Sequence, residues 1–110
     1  MTDKIIVLTT CAGEEESHRL ARSLVDTRLA ACVNIVPRAR SIYRWKGAVE
    51  EAEEWLLLIK SSRELFPELE RRLAQTHSYE TPEVIAIPIV DGSMPYLQWL
   101  AHNLGGVTEK

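Results

Sequence analysis

The stretch VNIVPRARSIYRWKGAVEEAEEWLLLIK, Val33 to Lys60, decides the fold. Its period is two. Val33, Ile35, Pro37, Ala39, Ser41, Tyr43 and Trp45 fall on one side of an extended chain, and Asn34, Arg38, Arg40, Arg44 and Lys46 on the other. The chain reverses near Lys46-Gly47-Ala48, where Gly47 accepts a positive φ, and a return strand runs from Val49 to Lys60. Glu50, Glu51, Glu53 and Glu54 stand opposite Arg40, Arg44 and Lys46, so charge pairing helps fix the register; Trp55 to Ile59 is wholly apolar. Typical strands have about five or six residues, and an isolated two-stranded ribbon is marginal in water. Both arms overrun what one small sheet needs. Their distal halves, with Tyr43, Trp45 and Trp55, predict cover by further copies of the chain in a cyclic homo-oligomer rather than a bare solvated arm.

Outward from the hairpin the signals alternate. On the N-terminal side, Ile5 to Thr10 is an unbroken apolar and β-branched run, which predicts a central strand covered on both faces. Glu14, Glu15 and Glu16 then open a helix whose stripe is Ser17, Leu20, Ala21, Leu24 and Val25. On the C-terminal side, Ser61 with Glu64 matches a capping box, while Pro67 sets the regular helix near Phe66, with Leu65, Phe66, Leu69 and Leu73 inward. A strand follows Pro82 through Val84 to Pro88. Ser93 caps a last helix with Pro95 in its first turn, Leu97 and Leu100 inward, and Gly105-Gly106 as its stop; the tail to Lys110 is loose. The order β, α, long β, long β, α, β, short α predicts one α+β domain over residues 1–110, ferredoxin-like (βαββαβ) with an additional C-terminal helix.

Composition narrows the function. In 110 residues, 45% hydrophobic and 26% charged, there is room for one core, and the net charge of −3 without a basic run disfavours nucleic acid and anionic membrane as partners. The first apolar run is too short for a signal or spanning segment, which predicts a cytoplasmic protein, where Cys11 and Cys32 stay free thiols.

Two places concentrate chemistry. One is Thr76-His77-Ser78-Tyr79-Glu80-Thr81-Pro82-Glu83, a polar turn holding an imidazole, a phenol and carboxylates; it reads equally as a ligand site or as a loop whose side chains satisfy its own backbone. The other is a weak soft-metal site using His77 or Cys11, since imidazole and thiolate suit copper or zinc, although an inert Cys11 closing a strand is the simpler reading. His18, His77 and His102 form no zinc spacing, and no Ser elbow, P-loop or GxGxxG is present, so no enzyme is expected and no cofactor beyond weakly bound Cu2+ or another divalent ion.

The strings Arg28-Leu29-Ala30-Ala31-Cys32-Val33-Asn34-Ile35, Ser41-Ile42-Tyr43-Arg44-Trp45-Lys46-Gly47, Lys60, His77-Ser78-Tyr79-Glu80-Thr81-Pro82-Glu83 and Tyr96-Leu97-Gln98-Trp99 together resemble the CutA family of divalent-cation tolerance proteins. The resemblance implies a homotrimer with PII-like architecture, its hairpins forming intersubunit sheets, and a part in the response to copper and other divalent metals. It also implies a small-ligand or metal cleft between subunits, formed by Tyr43, Trp45, Lys60, His77, Tyr79 and Glu80. The family commonly has proline where this chain has Ser78, which implies a looser turn. PII-like signalling, protein anchoring, and a small hydrolase or transferase are the rival functions.

Overall fold

The computed structural model describes residues 2–105, in the order β1 (Lys4–Cys11), α1 (Glu14–Asp26), β2 (Cys32–Trp45), β3 (Ala48–Ser62), a 3-10 turn (Arg63–Leu65), α2 (Phe66–Thr76), β4 (Ile85–Pro88) and α3 (Met94–His102). All strand pairs are antiparallel and the sheet order is β2-β3-β1-β4. This is the expected ferredoxin-like arrangement with its extra helix. Gly106 and the tail to Lys110, where a helix stop and a loose end were expected, lie outside the described residues.

The sheet carries one helix layer. Ile5, Val7 and Cys11 of β1 and Leu57 and Ile59 of β3 are buried against Leu20 and Leu24 of α1 and Leu69 and Leu73 of α2. The expectation that β1 is covered on both faces is corrected: burial alternates strictly along it, and Ile6 and Leu8 are only half-buried on the side no helix reaches. Their neighbours there are Leu56 and Leu58 of β3 and Ile85 and Ile87 of β4. An uninterrupted apolar string therefore signals one face for the core and a second for something else.

Local signals are met unevenly. In α1 the stripe Ser17, Leu20, Ala21 and Leu24 is buried, while Val25 sits at its exposed edge. The expected capping box at Ser61 does not form, because β3 runs on through Ser62 and the buried Ser61 Oγ donates to the Leu29 carbonyl at 2.7 Å. The chain reaches α2 through the 3-10 turn instead, with Pro67 in its first turn. β4 starts at Ile85, later than Val84, and Ser93 occupies the N-cap position of α3 without a side-chain cap bond.

The hairpin differs most from a simple alternation. Lys46 (φ 51°) and Gly47 (φ 85°) form the two-residue turn between Trp45 and Ala48, both left-handed as a type I′ turn requires. Val36 pairs with Leu56 but Ala39 pairs with Glu54, so Pro37 and Arg38 together oppose Trp55 in a β-bulge, and Arg38 has φ 63°. The extra residue reverses the parity. Val33 and Ile35 pair with Ile59 and Leu57 on the helix face, whereas Tyr43 and Trp45 pair with Glu50 and Ala48 on the opposite face. The single stripe from Val33 to Trp45 is thus corrected to two half-stripes on two faces. The expected charge ladder shrinks too: Arg40 reaches Glu51 at 3.4 Å, but Arg44 pairs with Val49. The arms stretch the molecule to 47 × 26 × 22 Å. Among the described residues no helix is long and apolar enough to cross a membrane.

Candidate functional site

At the end of α2 the chain passes around the end of β1 onto the open side of the sheet, and His77 fixes the crossing. Its imidazole is fully buried, at 0% side-chain exposure. Nε2 lies 2.7 Å from the Thr10 carbonyl, and the Tyr79 backbone N–H donates to Nδ1 at 3.0 Å. A ring nitrogen that accepts from an N–H carries no proton, so this network assigns the proton to Nε2, which donates to Thr10.

Glu16, in the first turn of α1, holds the next residue. The Ser78 N–H donates to its Oε2 at 2.8 Å, the Ser78 hydroxyl to Oε1 at 2.9 Å, and the Ala12 N–H to Oε1 at 3.5 Å. Partial burial pushes the Glu16 carboxyl up, but these hydrogen bonds outweigh it and hold it below its ordinary value. Ser78 therefore ties the turn down through an N–H that a proline would lack, where the resemblance implied a looser turn.

Tyr79, so anchored, projects to Glu54 of β3, and its hydroxyl donates to Glu54 Oε2 at 2.6 Å. Burial first, and then Glu54, drive the Tyr79 phenol well above its ordinary value, so it stays a donor. Between this turn and the distal hairpin lies an open cleft of ≈ 650 Å³. Tyr43, Trp45 and Tyr79 give it aromatic walls, and Glu50, Glu54, Glu80 and Glu83 give it carboxylates.

Of the residues expected at a site, Tyr43, Trp45, Tyr79 and Glu80 converge here. His77 underpins the cleft without lining it. Lys60 stands six residues beyond Glu54 along β3, about 20 Å away at strand rise, where its ammonium donates to Asn34 Oδ1. Within one chain it has no part in this cleft. Cys11 is on the helix face with its thiol 3.7 Å from the Gly13 carbonyl, and burial raises its pKa. Copper ligation through His77 requires breaking one of its two ring hydrogen bonds, and Cys11 is disposed to remain a thiol. Among the described residues no three His, Cys, Asp or Glu side chains are placed to share a metal ion. Glu16, Glu50 and Glu54 were not expected at the site, whereas Glu83 belongs to the polar turn that the sequence singles out. Glu54 carries a signal in retrospect, as an acid two residues before Leu56 and on the same face.

A four-stranded β2-β3-β1-β4 sheet with a single helix layer, a bulged over-long hairpin and a cleft against its distal half defines a ferredoxin-like protein of the extended-hairpin kind. The family model for the CutA1 divalent ion tolerance protein matches residues 5–103, and the chain belongs to that family. It is 49% identical to the divalent-cation tolerance protein CutA of Thermus thermophilus over 91% of this chain and 97% of that one. It is 47% identical to human protein CutA over 91% of this chain, which amounts to 56% of the human protein's length. A solved structure of the divalent cation tolerance protein from Thermus thermophilus superposes with a TM-score of 0.90 at 48% identity, covering 93% of this chain and 99% of that chain.

Proposed function

We propose that the protein is a cytoplasmic homotrimer that contributes to tolerance of divalent cations, copper among them, by holding a small ligand in clefts at its subunit boundaries, without catalysing a reaction. The observation that carries this reading is the uncovered side of the sheet. Ile6, Leu8, Leu56 and Leu58 are half-buried with no helix over them, and the flanking Ile85 and Ile87 are exposed. The ≈ 650 Å³ cleft opens at one end of that same face. Apolar surface continuous over a sheet face supports association, and association through it gives the cleft a further wall from a neighbour. Lys60 can join such a cleft only across a subunit boundary.

The absence of catalysis is supported by the engaged nitrogens of His77 and by a Tyr79 phenol held protonated, which leave no poised base between them. The divalent-cation role is supported by the names of the Thermus thermophilus relatives. Native mass spectrometry of the protein purified from its own cells tests the reading. Three chains carrying a retained small molecule are expected; a stable monomer at micromolar concentration overturns both the assembly and the shared cleft.

A further inference from the structure

We propose that the ligand of this cleft is a small organic cation, an alkylammonium on a flexible aliphatic body. The inference rests on the ligand-binding reading above and names the chemical class. Glu50, Glu54, Glu80 and Glu83 all line the cleft, and among the described residues no Lys or Arg does. An anion entering there meets four carboxylates, against the single ammonium that Lys46 holds over the Trp45 ring.

Glu54 adds an observation of a different kind. It is only 8% exposed, and the Tyr79 hydroxyl satisfies its Oε2 alone. Among the described residues its Oε1 has no hydrogen-bond partner. That oxygen stays accessible in a residue that lines the cleft, and an ammonium reaching it brings three donors with a matching charge. The walls fit the same guest. Tyr43 is 40% and Trp45 49% exposed, so their ring faces are open to a cation, and Lys46 already sets its own ammonium 5.8 Å from the Trp45 ring centroid.

A bare metal ion is the competing cation. It needs several oxygen, nitrogen or sulfur donors within about 2–2.6 Å of one point. No three acidic, His or Cys side chains among the described residues are so placed, and aromatic walls add nothing to its coordination. Carboxylates spread around ≈ 650 Å³ of space suit charges separated by methylenes, whose stem packs on the rings.

The test titrates the assembled full-length protein, by calorimetry and by Trp fluorescence, with spermidine, choline, citrate and Mg2+ in moderate salt. Saturable binding of the ammonium probes is expected, weakened about tenfold by Glu54→Gln and by Trp45→Ala. Glu51→Gln, an exposed carboxylate of the other hairpin face, is expected to leave it unchanged. Equal weakening by Glu51→Gln marks general surface attraction and overturns the inference. Citrate binding without ammonium binding overturns the cation class and leaves the ligand-binding reading standing. Mg2+ saturating the cleft and displacing both amines replaces the organic cation with a metal. Trp45→Ala keeps the test decisive if Glu54→Gln proves unstable, because Trp45 is half-exposed.

Discussion

Tyr79 and Glu54 form the polar contact on which the cleft turns. Tyr79→Phe leaves Glu54 without its donor, and a hydrogen bond to a charged group is worth about 2 kcal/mol, so a loss of that order is expected in urea unfolding at pH 7. The phenol's folded pKa is raised above its unfolded value of 10.0. Its contribution is therefore complete below pH 10 and declines as pH rises further, because the unfolded chain ionises first. The Phe variant is expected to lack that part of the alkaline decline, which unfolding measured between pH 9 and 11 will show. His77 and Tyr79 were legible in the sequence as a polar concentration in a turn; their duties were not. One buries a latch against a carbonyl 67 residues away and the other reaches a strand 25 residues back. Nothing local in either residue encodes such partners.

Among the elements, the contact between the first turn of α1 and the turn after α2 depends on Glu16. Its folded pKa is depressed, so its stabilisation is present above about pH 4.5 and is lost as pH falls through the folded value. Glu16→Gln is expected to cost about 1–2 kcal/mol at pH 7, and its deficit against the unmodified protein to narrow below pH 4; acid unfolding of both proteins checks this. Ser78→Pro, which removes both of that residue's donors, is expected to cost about 2 kcal/mol in the same assay. The bulge makes a separate prediction. Arg38 holds φ 63°, a region that a β-branched residue tolerates poorly and glycine freely. Arg38→Val is expected to be less stable than Arg38→Gly by about 1–2 kcal/mol in thermal unfolding. Element order was legible because runs of period two and period 3.6 alternate cleanly along the chain. The bulge was not, because Pro37 and Arg38 keep an outwardly regular alternation and Arg carries no sign of a left-handed backbone. That omission placed Tyr43 and Trp45 on the same face as Val33 and Ile35, where they do not lie.

For the whole molecule, the open sheet face is decisive. Leu58→Asp puts a charge at the middle of it while leaving the helix-side core of Leu57 and Ile59 untouched. It is expected to shift the protein from assembled to monomeric in sedimentation at micromolar concentration, with the ammonium affinity of the cleft falling in parallel. The need for cover could be read from the excess length of the hairpin, but the surface that asks for it could not. The unbroken apolar run of β1 concealed that one of its faces is left open.

The bulge at Pro37 and Arg38 gives the hairpin two reading frames. Residues on its proximal side are in phase with the helix-facing core, and those on its distal side are in phase with the cleft. Paired without that bulge, the same sequence would keep Val33 and Ile35 in place and shift every distal side chain by one step, presenting Arg40 and Arg44 on the face where Tyr43 and Trp45 now stand. The carboxylate wall would then face guanidinium groups instead of rings, and the cleft would exchange its preference for cations for its own internal salt bridges, with the scaffold unaltered.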